Sequence, residues 1–270
     1  MLIDCFPYFN EKELLELRIE TLYDHVDGFL ITDANRTHRG EPKEFSCVNT
    51  LRELGIPEDK VQVLHVELPP IEEAPDPWIR ERGQRDALSV GLFQLPEDTF
   101  FICSDCDEIA NPEKLEEVKE AVLEHSDKTV RLSMSMHYGR ADRQLQSPTG
   151  EKFDWRCGTA GTVGQLKEFG TLSSFRATTN NWYVGNRDAG WHLSWMGDAE
   201  KRRRKLSSIA EYYIWDKPEV QKLCDEFKPE EGNTDMLGRQ DHLITSYPLD
   251  KLPEAALRIE RVRRYLLPDG

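Results

Sequence analysis

The chain has 270 residues, 38% hydrophobic and 31% charged, the make-up of a globular protein with length enough for a substantial core. Its formal net charge of −15 excludes a duplex nucleic-acid binder, because bound phosphates need a basic surface. No apolar run approaches the roughly 20 residues that span a bilayer, so no membrane segment is expected.

The first residues, MLIDCFPYF, read as an opening strand and lack the basic-then-apolar order of a signal peptide. Six scattered cysteines form no disulfide framework. The expectation is a cytoplasmic protein with reduced thiols. Asn10 is placed to cap a helix from about Glu11 to His25, whose apolar positions Leu14, Leu15, Ile19, Leu22 and Val26 recur at helical spacing. GFLITDA (28–34) reads as a short buried strand that ends in an acid. TLRELG forms a short helix stopped at Gly55-Ile56-Pro57, and KVQVLHVEL (60–68) is the next strand. A proline-rich loop then leads into a helix from Trp78 to about Leu95.

Phe100 to Cys103 is a continuous apolar run, as in a strand buried on both faces. Asn111-Pro112-Glu113 supplies an N-cap, a proline at the first helical position and a first-turn acid for a helix reaching about His125. Residues 129–139 read as one further strand. This alternation predicts an α/β fold with a mostly parallel sheet covered on both faces. Beyond about residue 140 the chain turns irregular and aromatic-rich, with Trp155, Trp182, Trp191 and Trp195, and a helical stretch from about Glu200 to Tyr213. The later half reads as an elaboration of one domain spanning 1–270.

The stretch FFICSDCDEIANPEKL (100–115) carries the chemistry. Asp105 and Asp107, two apart in extended backbone, face one crevice at the carboxyl end of a strand, where open parallel sheets bind ligands. Two carboxylates held together repel unless a cation or proton intervenes, and oxygen ligands suit Mg²⁺ or Mn²⁺. A solvated acidic loop is the plain alternative. Cys103 and Cys106 have C-x-x-C spacing, but no second pair exists for a structural zinc site, and Cys103 lies inside the apolar run. An Asp-x-Asp in this place serves either a phosphohydrolase or a nucleotide-sugar transferase.

The chain resembles glycosyltransferase family 17 in DCFPYFNEKELLELRIETLYDHVDGFLITDANRTHRGEPK (4–43), WIRERGQRDAL (78–88), SDCDEI (104–109), AGWHLSW (189–195) and KLSSIAE (205–211). The resemblance implies a GT-A-type fold, a UDP-sugar donor favouring UDP-N-acetylglucosamine, a glycan acceptor, Mn²⁺ or Mg²⁺, and inversion at the anomeric carbon. It makes residues 1–140 the nucleotide-sugar-binding half and 141–270 the acceptor side. Asp107 becomes the stronger metal ligand, Asp105 a second ligand or ribose contact, and His192 the third ligand. Asp33, with Thr37 and His38 behind it, falls where the nucleotide is recognised.

The charged helix before the clamp places Arg82 and Arg85 on one face, with Arg82 in reach of Asp86. The family match offers Arg85 to phosphate or uracil, and Lys205, in the basic run EKRRRKLSS, to the diphosphate or an anionic acceptor. For both runs a solvated helix face is the ordinary alternative. Transfer also needs a carboxylate base near the acceptor hydroxyl. Asp188, just before AGWH, is the first choice, with Asp241 and Glu168 behind it. The four tryptophans are candidate sugar platforms, at least two of them expected in the core. A metal-dependent phosphohydrolase and a non-catalytic carbohydrate-binding protein are the alternative functions.

Overall fold

The computed structural model describes residues 1–267, and their strands gather into two sheets. The opening of the chain alternates as the hydrophobic pattern requires: β1 (Leu2–Tyr8), α1 (Lys12–Leu22), β2 (Gly28–Ala34), α2 (Cys47–Leu54), β3 (Val61–Val66), α3 (Pro77–Leu92) and β4 (Phe100–Cys103). β2 is buried at every residue, consistent with its apolar run and its parallel partners β1 and β3. Next come β5 (Glu108–Ala110), α4 (Leu115–Glu124), β6 (Thr129–Leu132), β7 (Met134–Tyr138), β8 (Arg140–Gln146), β9 (Asp154–Trp155) and β10 (Thr159–Thr162). The remainder holds α5 (Val163–Phe169), α6 (Leu172–Arg176), β11 (Asn181–Val184), β12 (Gly190–Ser194), α7 (Ala199–Leu206), α8 (Tyr212–Trp215), α9 (Pro218–Glu226), β13 (Leu243–Ser246), α10 (Glu254–Arg258) and α11 (Glu260–Leu266).

The first sheet has the order β11-β6-β10-β4-β1-β2-β3. β4, β1, β2 and β3 are mutually parallel, while β10 runs antiparallel between β4 and β6. Strand alternation gives each face its own apolar cluster. Ile3, Cys5, Leu30, Phe101 and Cys103 meet Leu88, Leu92, Leu166 and Phe175 from α3, α5 and α6. On the other face Phe6, Phe29, Ile31 and Ile102 meet Leu15, Leu22, Leu51 and Val118 from α1, α2 and α4. The expected mostly parallel sheet, covered on both faces, is present. The second sheet runs β13-β8-β7-β12-β5 with β9 beside β7, and is mostly antiparallel.

Several local expectations are corrected. Asn10 does not cap α1: it sits at φ 56° and accepts a hydrogen bond from Ser46 Oγ, and the helix starts at Lys12 without a side-chain cap. Residues 129–139 are two strands in different sheets. Ser133 breaks them, its hydroxyl donating to Asp154 Oδ1 at 2.7 Å and accepting from Arg187 N at 2.7 Å. Asn111 caps a 3₁₀ turn, Pro112–Lys114, that leads into α4. The expected helix at 200–213 ends at Leu206 and resumes as α8. The sheets also do not divide at residue 140, because β5 and β7 precede it in the second sheet while β10 and β11 follow it in the first. No helix among the described residues is long and apolar enough to cross a membrane, and all six cysteines are free.

Candidate active site

Residues 104–107 bridge the two sheets. β4 ends at Cys103 in the first sheet, and β5 begins at Glu108 in the second, paired with His192 of β12. Arg18, on α1 and fully buried, holds this turn from behind with all five N–H groups. Nε and Nη2 take the two oxygens of Asp4 at 2.7 Å each, Nη1 donates to the carbonyls of Asp105 (2.6 Å) and Glu108 (3.0 Å), and Nη2 also donates to Ser104 Oγ (2.8 Å). The guanidinium fixes the backbone from which the two aspartates project.

The aspartates face different partners. Asp105 accepts from Arg85 Nη2 at 2.6 Å and lies 3.4 Å from Arg176 Nη1. Asp107 Oδ2 accepts from Lys205 Nζ at 2.6 Å and lies 3.7 Å from His192 Nε2. Burial alone would push both carboxyls up. The guanidiniums beside Asp105, and Lys205 with His192 beside Asp107, overcome it and hold both well below the usual carboxylate range. Glu108, fully buried, accepts from Trp155 Nε1 and from Asp105 N at 3.0 Å; burial, then the charge of Asp105, pushes its carboxyl up.

Asp107 and His192 are close enough for one ion to bridge; the carboxylate is the hard oxygen donor that Mn²⁺ prefers, and a neutral imidazole can join it. Among the described residues no group of three or more His, Cys, Asp or Glu side chains could hold an ion by itself. The predicted set Asp105, Asp107 and His192 is therefore not assembled, because Asp105 is turned toward Arg85 and Arg176. What fits is a two-residue seat, its shell to be completed by substrate oxygens as Mg²⁺ and Mn²⁺ commonly require. Trp155 lies against His192 with ring centroids 4.3 Å apart.

Arg85 and Lys205 are thus gathered at the clamp, and His38 stands close by, its Nε2 donating to Gln84 Oε1 at 3.1 Å and its ring facing Glu81, Arg85 and Asp105. Burial pulls the His38 imidazole down. Asp33 is fully buried in a structural role: its oxygens accept from Lys43 Nζ (2.7 Å), Ser46 N (2.6 Å) and Cys47 N (2.8 Å), anchoring the start of α2. Thr37 Oγ1 accepts from Gly40 N and Glu41 N and so closes a turn. Arg82 points away from the clamp, exposed and beside Asp76 at 3.5 Å, while Asp86 accepts from Ser173 N.

All three predicted bases lie apart. Asp188 is exposed two residues before β12, 3.4 Å from Lys114; four residues of extended chain would span at most about 13 Å to His192. Asp241 is exposed and bonded to its neighbour His242, and Glu168 is exposed on α5. Of the tryptophans, Trp191 and Trp195 are buried, Trp155 is at the clamp, and Trp182 is exposed against His125.

The carboxylates that do reach the clamp were passed over in sequence: Glu11, Glu81 and Glu211, with Arg176 among the cations. Burial pushes Glu11 up to about 7 against the pull of Lys205. Burial also raises Glu211. Glu11 and Lys205 line a cavity of about 110 Å³ with Phe9, Asn10, Trp195 and Tyr265. Asn10 and Trp195 both hold positive φ, 56° and 59°, an unusual conformation for residues with side chains. A larger cleft, about 200 Å³, lies at the opposite end of the strands, by Ile3, Gly28 and Val61, away from the acids. The blocks matched to the family, 4–43, 78–88 and 205–211, contain Glu11, Glu81 and Glu211 without marking any of them as a site acid, and Arg176 lies outside them.

The class is that of a transferase, and the family can be named. Residues 1–197 match the model of glycosyltransferase family 17, and the chain belongs to that family. Over 226 residues it is 27% identical to the beta-1,4-mannosyl-glycoprotein 4-beta-N-acetylglucosaminyltransferases of Mus musculus and Homo sapiens, an overlap covering 76% of this chain and 42% of each relative. The chain thus spans less than half the length of the curated relatives it matches. Solved structures overlap loosely. The TM-score is 0.43 with the 2-C-methyl-D-erythritol 4-phosphate cytidylyltransferase of Francisella tularensis, at 8% identity over 69% of this chain and 91% of that one. It is 0.41 with residues 1–349 of S. aureus TarS, at 11% identity over 83% and 68%. Overlaps this loose carry no inference.

Proposed function

We propose that the chain is a GT-A-type, metal-dependent, inverting glycosyltransferase that moves N-acetylglucosamine from a UDP donor to a hydroxyl of a glycan acceptor. The observation that carries the proposal is the meeting of Asp105 and Asp107 with Arg85, Arg176, Lys205 and His192 at the carboxyl end of β4 in a family-17 chain. The sugar follows from the relatives, which are named N-acetylglucosaminyltransferases.

Mn²⁺ or Mg²⁺, held by Asp107 and His192, would supply Lewis acidity toward the leaving diphosphate. Arg176 and Lys205 border the same space and offer N–H donors to diphosphate oxygens, while Arg85 keeps Asp105 ionised and oriented. Glu11 is the base we assign, because it lines the cavity beside Lys205 where an acceptor hydroxyl can approach. Trp195 and Tyr265 give that cavity aromatic walls against which a sugar ring can rest and water is displaced.

The test is thermal stabilisation by UDP-, GDP- and CMP-sugars, each with and without Mn²⁺. A ligand that binds only the folded state raises its melting temperature by mass action. We expect a shift with UDP-N-acetylglucosamine that needs Mn²⁺. No shift with any nucleotide sugar would defeat the proposal, and release of free sugar without an acceptor as the main reaction would favour a phosphohydrolase.

A further inference from the structure

We infer that Lys205 guards the metal seat: its ammonium occupies Asp107 in place of the divalent ion, and the ion enters only when a nucleoside diphosphate draws the lysine away. The inference rests on the metal-dependent reading above and concerns the order in which metal and nucleotide bind.

The geometry is specific to one oxygen. Lys205 Nζ donates to Asp107 Oδ2 at 2.6 Å, and His192 Nε2 lies 3.7 Å from that same Oδ2. The ion's two protein donors therefore already share their space with a bound cation. The Asp107 side chain is only 6% exposed, which leaves little room for a second approach to the carboxylate. A divalent ion and an ammonium brought to one oxygen repel each other, so one has to leave.

Lys205 is built to leave. It lies in the last turn of α7, with its side chain 29% exposed at the mouth of the cavity and its ammonium 5.6 Å above the Trp195 ring. Its stem is flexible and its charge compact, whereas Arg85 is pinned between Glu81 and Asp105. The other cations along α7 have different attachments. Lys201 pairs with Glu13, Arg202 donates to the carbonyls of Gly197 and Cys224, Arg203 pairs with Asp225, and Arg204 lies over the Phe9 ring. A diphosphate beside Asp107 offers the Lys205 ammonium a more negative partner, and its oxygens complete the shell of the arriving ion.

The experiment counts free Mn²⁺ by electron paramagnetic resonance during titration of the full chain, with and without UDP, after correction for Mn²⁺ held by UDP itself. Wild-type protein is expected to bind Mn²⁺ weakly alone and about tenfold or more tightly with UDP, within the usual range of site-to-site coupling. Lys205→Met is expected to bind Mn²⁺ alone about tenfold more tightly than wild type, with the gain from UDP reduced to what the diphosphate oxygens add as ligands. Asp107→Asn removes the signal if the ion sits here, and uptake that survives this change overturns the inference. Lys205→Met binding Mn²⁺ no more tightly than wild type without UDP, while wild type keeps its UDP-coupled uptake, overturns the guard and leaves the metal-dependent reading standing. No uptake by either protein even with UDP removes both.

Discussion

Asp107 and Glu11 illustrate how differently two acids of one site can be read. Asp107 was visible in the sequence because its signal is local: an apolar strand, a pair of acids two apart and a helix cap, all within sixteen residues. Glu11 was not, because the block around it matches the family without singling out this acid; the fold brings it to Lys205 from 194 residues away. Asp188 failed for the converse reason. It is near His192 in sequence, but an extended strand carries neighbours apart at about 3.3 Å per residue. Asp107→Asn keeps the shape and removes the charge. The variant should stay folded by circular dichroism yet lose Mn²⁺-dependent stabilisation by UDP, and normal stabilisation would exclude Asp107 as a ligand. Glu11→Gln should keep UDP binding while transfer falls by about a hundredfold or more, the usual worth of a general base. Near-normal turnover in a radiolabelled-sugar assay would release Glu11 from that role.

At the scale of elements, the alternation of strands and helices through β4 was legible, since each element carries its own period. The division of 129–139 was not. Both pieces are equally apolar, and the break depends on Ser133 bonding to Asp154 and Arg187, which only the fold brings near. β7 also buries a titratable group. His137 is fully buried, its Nδ1 at 2.6 Å from the Ala141 carbonyl and its Nε2 at 2.7 Å from Ser135 Oγ, and burial lowers its pKa to about 4. The unfolded chain, with histidine near 6.5, binds the proton first, so His137 contributes stability above pH 6.5 that is lost as pH falls toward 4. The loss amounts to about 3 kcal/mol by pH 4. Urea midpoints measured from pH 7.5 to 4 should therefore fall less steeply for His137→Gln than for wild type, and equal slopes would show that His137 does not carry the acid sensitivity.

The whole molecule sets a net charge of −15 around a cleft where Arg85, Arg176 and Lys205 converge. Bulk charge says nothing of this local reversal. The later half looked irregular because its strands are short and pair across long distances: β10 with β4 and β6, β11 with β6, and β12 with β5 and β7. Residue 140 therefore divides the chain in composition without dividing it in space. The turn that carries Asp105 and Asp107 runs from a strand of the first sheet into a strand of the second, and its far edge exists only once β12 has paired with β5. During synthesis the parallel strands β1 to β4 can meet while the ribosome is still adding the segment that follows, but the acids wait for residue 194 and their lysine for residue 205. A chain ending near β11 would therefore carry every strand of the first sheet together with Asp105, Arg85 and Arg176, yet lack His192 and Lys205, the two groups that Asp107 meets.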